Sequence, residues 1–152
     1  MNCVFLGLSI TSTWGNGHAT TYRGLLKELS KRGYRTTFLE RDVPWYSSHR
    51  EFDELPYCTV ALYSSLEELK DRFTGLVRTA DVVVVGSYVP DGIAVGEWVT
   101  ATAKNLTAFY DIDTPVTLSN LKIGRCEYLS VPLCSKYDLY LSFTGGPTLD
   151  FI

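Results

Sequence analysis

The segment NCVFLGLSITSTWGNGHATTYRGLL, residues 2–26, decides the fold of this 152-residue chain. It begins with a nearly continuous apolar run over residues 2–9, which is typical of a strand buried on both faces of a parallel sheet. A turn built from Gly15, Asn16 and Gly17 follows, and a helical spacing of apolar residues comes next. A strand, a glycine-rich turn and a helix in this order predict the first unit of an α/β domain.

The rest of the chain continues this alternation of strands and helices. The apolar patterns predict strands at residues 34–40, 58–63, 81–86, 106–110 and 137–143, and helices at 18–32, 65–79 and 93–104. Residues 41–57 contain two prolines, several aromatics and many charges and predict a loop or a short irregular excursion. We therefore predict one domain over residues 1–152, with an open, mostly parallel sheet of about six strands and helices on both faces.

Composition and charge narrow the function classes. The chain is 45% hydrophobic and 20% charged, which is typical of an ordinary folded domain. Its net charge of −3 and the lack of a basic stripe disfavour a nucleic-acid partner. The first apolar run has no basic segment before it and is too short for a transmembrane helix, so we expect a cytoplasmic protein without a transmembrane segment.

The four cysteines are predicted to be packed, reduced thiols. Cys3, Cys58, Cys126 and Cys134 form no C-x-x-C pair, and two of them lie in apolar strand-like runs. A zinc site or a disulfide is the alternative.

The predicted binding edge lies at the carboxyl ends of the strands, where open parallel sheets bind their ligands. The loops expected there are rich in Gly, Asp, Ser and Thr, unlike those at the opposite edge. The candidate substrate-binding or donor-binding residues in these loops are Gly15, Asn16, Gly17, Tyr88, Asp91, Gly92, Asp113, Thr114, Thr144, Gly145 and Gly146.

The glycine-rich turn is a candidate phosphate site. Gly15 and Gly17 let the backbone approach a ligand closely, and amides at a helix start attract negative charge. The motif lacks the third glycine of a dinucleotide fingerprint, although Glu40 lies near the position of a ribose-binding acid. A tight turn that binds nothing is the alternative.

His18 and the D-x-D sequence suggest chemistry at the same edge. A helix N-terminus lowers the pKa of a histidine, so a neutral His18 could accept a proton from a substrate hydroxyl. Asp111 or Asp113 could orient it. Two carboxylates two residues apart on an extended segment could also hold a metal, contact a substrate, or cap a turn. A surface or capping role is the alternative for His18.

Several aromatic residues could form walls that stack on a sugar, although aromatic side chains are more often part of a core: Trp14, Trp45, Tyr46, Tyr88 and Trp98. His49 lies in the polar loop and is expected at the surface.

With these residues placed, the chain resembles the N-terminal half of a B-type glycosyltransferase. It is most similar to the bacterial spore-maturation-type (CgeB-like) glycosyltransferases. The matching segments cover nearly the whole chain and are residues 15–18, 22–26, 32–34, 37–46, 86–92, 109–115 and 140–146.

This resemblance implies the GT-B fold, with two facing Rossmann-like domains. The N-terminal domain would hold a small-molecule or glycan acceptor with a reactive hydroxyl, and the C-terminal domain the nucleotide-sugar donor. His18 would be the catalytic base, paired with Asp111. The family needs no metal or cofactor, since the nucleotide-sugar is a co-substrate. The donor domain lies outside this chain, so we expect a fragment, or a domain completed by another polypeptide, that is inactive alone.

Two other functions fit the same sequence. Gly15, Gly17 and Glu40 would suit an NAD(P)-binding Rossmann domain of an oxidoreductase. A non-catalytic α/β binding module is the third possibility.

Overall fold

The computed structural model describes residues 1–15, 17–52 and 54–151. The strands are Asn2–Gly7 (β1), Arg35–Arg41 (β2), Thr59–Tyr63 (β3), Val82–Gly86 (β4), Leu106–Asp111 (β5) and Leu139–Ser142 (β6). The α-helices are His18–Lys31 (α1), Pro44–Ser47 (α2), Leu66–Thr79 (α3), Gly92–Thr102 (α4), Thr114–Lys122 (α5) and Val131–Cys134 (α6), and a 3₁₀ helix spans Gly146–Phe151.

All strand pairs of the sheet are parallel, and the strand order is β3-β2-β1-β4-β5-β6. The chain runs outward from β1 to β3, crosses back to β4 beside β1, and then runs outward in the other direction. This order is that of a doubly wound α/β fold, with a switch point between β1 and β4. The fold is Rossmann-like. The predicted fold class is therefore confirmed.

The first strand holds the two faces of the sheet together. Val4 and Leu6 pack into the cluster beneath α3 and α4, whereas Cys3 and Phe5 pack into the cluster beneath α1. All four side chains are buried, as the apolar run predicted. Burying an apolar side chain of this size contributes about 1.5–3 kcal/mol, so β1 stabilises both layers at once.

Prolines lie at the start of three helices that the sequence patterns did not predict. Pro44, Pro115 and Pro132 each lie in the first turn of a helix, α2, α5 and α6 respectively. Proline suits this position because its fixed φ is helical and its missing N–H would have no partner there. The prediction of a loop or a short irregular excursion over residues 41–57 thus missed the helix α2.

All four cysteines are free thiols, and Cys3 and Cys58 are buried. Burial raises the pKa of both thiols, which makes them poor nucleophiles at neutral pH. No helix in the described part of the chain combines the length and the apolar character needed to cross a membrane.

The start of α4 lies unusually close to the segment between α5 and α6. A Cβ added to Gly92 would meet the Cα and Cβ of Tyr128 at 2.6 Å. Gly92 is therefore needed for packing, which explains its presence without a ligand.

We predict that Gly92→Ala destabilises the fold by about 1–3 kcal/mol, because the added methyl overpacks the contact with Tyr128. The matched control is Gly24→Ala, also in a helix, where an added Cβ meets nothing within 4 Å. That control should be stabilising by about 0.5–1 kcal/mol, since alanine is the better helix former. Urea unfolding of both variants checks this; equal effects would contradict the packing account.

Candidate ligand-binding site

The candidate site lies at the carboxyl ends of the neighbouring strands β1 and β4, where the loops that follow them lead to opposite sides of the sheet. His18 begins α1 beside the end of β1, and its ring meets the Tyr88 ring edge-on, with centroids 5.2 Å apart. The Tyr88 hydroxyl donates to Oδ2 of Asp113 at 3.4 Å. The fold thus brings His18, Tyr88 and Asp113 together from three different loops, and we call these three residues the crevice trio.

The backbone of the loop after β4 adopts a rare conformation. Tyr88 and Asp91 have φ values of 64° and 54°, in the left-handed region that non-glycine residues seldom occupy. Tyr88 is held there by its contacts, because its ring also packs against that of Tyr128 with centroids 4.6 Å apart. Strain of this kind concentrates at functional sites. The loop is therefore shaped to direct the Tyr88 ring toward His18.

The imidazole of His18 is half-buried, and burial lowers its pKa. The negative charges of Asp113 and Asp111 act in the opposite direction, but desolvation is the larger effect. Because its ordinary pKa is about 6.5, the ring is neutral at pH 7. It can therefore exchange a hydrogen bond with a ligand hydroxyl.

Asp111 is the centre of a buried hydrogen-bond network. Its Oδ2 accepts from the Tyr140 hydroxyl at 2.6 Å. Its Oδ1 accepts from the Thr117 hydroxyl at 2.8 Å and from the backbone N–H of Asp113 at 3.2 Å. The Thr117 hydroxyl also bonds with that of Tyr128 at 2.9 Å. Asp111 therefore fixes β5, α5, β6 and the Tyr128 segment to one another.

The two aspartates of the D-x-D sequence have different environments. Asp111 is fully buried, whereas Asp113 is half-buried beside Tyr88. The pleat that would place both carboxylates on one side does not continue, because β5 ends at Asp111. Of these two aspartates, Asp113 is therefore the one whose carboxylate can face a ligand.

Glu40 does not lie where a ribose could reach it. Its side chain is fully buried and accepts from the backbone N–H groups of Ile10 at 2.6 Å and Thr11 at 3.0 Å. The hydroxyls of Thr11 and Ser9 donate to it at 2.7 and 3.2 Å. The ribose-binding interpretation of Glu40 is therefore wrong, because the carboxylate serves as a fixed internal anion for the loop after β1.

The next amides of this loop are also bonded to side chains. The N–H of Ser12 donates to the Ser9 hydroxyl at 3.2 Å, and that of Trp14 to the Ser12 hydroxyl at 3.2 Å. The N–H of Thr13 donates to Oε1 of Glu51 at 2.9 Å. Backbone N–H groups 10–14 are thus committed within the protein. A ligand anion must use groups beyond Trp14, toward the start of α1.

The predicted glycine turn occupies that position. Gly15 is exposed with a φ of 68°, and Gly17 is exposed at the N-cap of α1. Asn16 lies outside the described residues.

The remaining predicted residues make contacts with residues outside the crevice trio, or are exposed. Asp91 forms an ion pair with Arg41 at the end of β2. Thr114 is buried and bonds through its hydroxyl to that of Ser142 at 2.8 Å, and the N–H of Thr144 donates to the same hydroxyl at 3.0 Å. Gly145 and Gly146 are exposed at the end of β6, where Gly146 begins the 3₁₀ helix.

The predicted aromatic walls separate into different places. Trp14 and Trp45 are exposed and in contact next to the glycine turn, with His49 stacked on Trp14. Tyr46 is the buried residue of α2, and Trp98 lies on α4.

A cavity of about 590 Å³ lies at the opposite edge of the sheet, around Cys3, Thr36 and Cys58. Here the strands begin and α1 and α3 end, so helix carbonyls rather than amides face it. That polarity disfavours anionic ligands.

Sequence patterns missed Glu51, Thr117, Tyr128 and Tyr140. Tyr140 could have been found, because the period of two along β5 and β6 places it on the same face as Asp111. Glu51 and Tyr128 lie in irregular segments, where no period indicates their direction.

Comparisons with known proteins do not assign the chain to a family. No protein-family model matches the chain, and no curated protein matches it. A crystal structure of the C-terminal domain of the coenzyme A biosynthesis bifunctional protein CoaBC is similar, with a TM-score of 0.46 and 9% identity. The similarity covers 80% of this chain and 68% of that domain.

The predicted glycosyltransferase function is corrected by these findings. No family model and no curated protein supports GT-B architecture or nucleotide-sugar binding, and the similar structure is a domain of a coenzyme A biosynthesis protein. The physical reason is that Gly-rich and Asp-rich loops mark the carboxyl edge of any doubly wound sheet, whatever reaction occurs there.

The lowered pKa of His18 predicts a pH dependence of stability. In the unfolded chain the His18 imidazole binds a proton near pH 6.5, whereas in the folded protein it binds that proton only at lower pH. The free energy of unfolding therefore falls as the pH drops from 7.5 to 5.5. His18→Gln should make this fall smaller, by up to about 1.4 kcal/mol for each unit of pKa difference. Thermal unfolding at both pH values measures it, and an identical fall in both proteins would contradict it.

Replacing Asp111 and Asp113 by alanine should reduce the stability of the fold by different amounts. Asp111→Ala leaves the buried hydroxyls of Tyr140 and Thr117 without their acceptor and should cost about 3 kcal/mol of stability. Asp113→Ala should change stability by less than about 1 kcal/mol, because its half-buried side chain accepts only a long hydrogen bond from Tyr88. Urea unfolding of the pair checks this, and equal losses would contradict the assignment of Asp111 as the structural residue.

Proposed function

We propose that this chain is a nucleotide-binding domain that holds its ligand across the crevice between β1 and β4. The observation that carries this proposal is the crevice trio. An acidic acceptor, a phenol and a neutral imidazole meet beside the amino end of α1, at the switch point of the sheet. This is the place where doubly wound sheets bind nucleotides.

The phosphate and the sugar of a nucleotide each have a complementary group near the crevice. The amino end of the 14-residue helix α1 carries partial positive charge, and its first turn contains no acidic residue. A phosphate is favoured there. Asp113 can accept hydrogen bonds from sugar hydroxyls, and His18 can bond to one of them.

A mononucleotide fits this arrangement better than a dinucleotide. The dinucleotide mode uses the amides after β1 for the pyrophosphate and an acid after β2 for the ribose. Here, amides 10 and 11 donate to Glu40 and that acid is buried. NAD(P) binding in its common form is therefore disfavoured, although the fold suits a nucleotide.

The hydrogen bonds of Asp111 favour a role in ligand binding over catalysis by this domain alone. Both carboxylate oxygens of Asp111 are engaged by Tyr140, Thr117 and the Asp113 amide. A catalytic pair of His18 and Asp111 would need a carboxylate free to orient the imidazole.

The test is calorimetric titration with AMP, UMP, FMN and NADH. We expect a mononucleotide to bind with a Kd of about 1 mM or lower, which corresponds to about 4 kcal/mol of binding free energy. Asp113→Asn should weaken that binding about tenfold, because a charged hydrogen-bond acceptor is lost.

The matched control is Asp71→Asn, which removes an exposed carboxylate from α3. It should leave the affinity unchanged. No binding by any of the four compounds, or equal affinities in the two variants, would contradict the proposal. Tight binding of NADH alone would favour the dinucleotide alternative.

A further inference from the structure

Two exposed indole rings lie next to the glycine turn. Trp14 and Trp45 are 41% and 60% exposed, which is unusual because tryptophan is highly buried on average. Their ring centroids are 4.6 Å apart with an interplanar angle of 70°. The His49 ring stacks on Trp14 at 4.3 Å and 20°. The three rings form one cluster, which we call the aromatic platform.

The platform borders the proposed phosphate position. Trp14 immediately precedes Gly15, and a Cβ added to Gly15 would lie 3.9 Å from Nε1 of Trp45. Gly17 is the N-cap of α1. A ligand with its phosphate at the start of α1 would therefore have the platform on one side and the crevice trio on the other.

Hydrogen bonds hold the platform in place before any ligand arrives. The Glu51 N–H donates to the Thr11 carbonyl at 2.8 Å, and Oε1 of Glu51 accepts from the Thr13 N–H at 2.9 Å. Arg23 donates to Oε2 of Glu51 at 2.9 Å. The hydrogen bonds from Thr13, together with Arg23, lower the pKa of Glu51 to about 2, so it stays ionised at neutral pH. The loops after β1 and β2 are thereby joined.

The short helix α2 fixes Trp45 itself. Tyr46 is buried next to it, and Nδ1 of His49 lies 3.1 Å from the Trp45 carbonyl oxygen. A ring that is ordered in advance loses less conformational entropy when a ligand stacks on it.

We infer that the aromatic platform stacks on the base of the bound nucleotide, with Trp45 as the main contact. This inference rests on the proposed nucleotide-binding function and names the part of the ligand that the platform receives. Stacking tolerates any base, because every base has a π-face. Binding is therefore base-tolerant, with a purine preferred over a pyrimidine for its larger ring area.

The experiment compares AMP with ribose 5-phosphate, which has the sugar and phosphate but no base. Calorimetric titrations use the wild type, Trp45→Ala and Trp45→Phe. Trp45→Ala is expected to weaken AMP binding about tenfold or more and to leave ribose 5-phosphate binding unchanged. Trp45→Phe retains most of the AMP affinity because a ring remains.

The matched control is Phe143→Ala, which removes a 66%-exposed aromatic ring after β6. It leaves both affinities unchanged. Thermal unfolding of each variant establishes that it is folded before titration.

The other outcomes overturn the inference in distinguishable ways. If the wild type binds AMP and Trp45→Ala binds it equally well, the platform is not the base site but nucleotide binding stands. If Trp45→Ala weakens both ligands equally, the ring acts through loop packing instead of stacking. If the wild type binds neither ligand nor any other nucleotide tested, the inference fails together with the proposed function.

Discussion

The buried carboxylate of Glu40 is the interaction on which the binding edge depends. A charge buried without partners would be strongly destabilising, and this one is compensated by two backbone amides and two hydroxyls of the loop after β1. These bonds fix residues 9–11, and with them the direction in which the chain leaves β1. The positions of Trp14, the glycine turn and the first turn of α1 all follow from that direction.

The hydrogen bonds of Glu40 also change which backbone amides of this doubly wound sheet are open to a phosphate. In a doubly wound sheet, the amides after the first strand are usually the ones that meet a phosphate. Here the protein supplies its own anion to them, so the open groups shift toward the start of α1 and the surrounding side chains. Under the proposed function, ligand recognition would depend on the crevice trio of His18, Tyr88 and Asp113, and a compact nucleotide would fit better than an extended dinucleotide.

The fold was predictable from the sequence because its signals are periodic. The apolar runs of β1 and β4 and the helical spacing of α1 and α3 each extend over several residues, so a few exceptions do not obscure them. The sheet edge and the loops that carry the candidate site were also predictable, because the ends of the strands locate both. The roles of the residues at this edge were not predictable. Glu40 and Asp111 were predicted to be functional acids, yet both are buried and form tertiary hydrogen bonds within the protein. No local pattern distinguishes a buried carboxylate from a ligand-facing one.

The most direct test of nucleotide binding across the crevice is to map AMP binding by ¹⁵N–¹H NMR. If the chain binds AMP there, the largest shift changes will occur at the amides of Gly15, Gly17, His18, Tyr88 and Asp113, and at the indole N–H of Trp45. Shift changes confined to the opposite edge, around Cys3 and Cys58, or no changes at millimolar AMP, would contradict it.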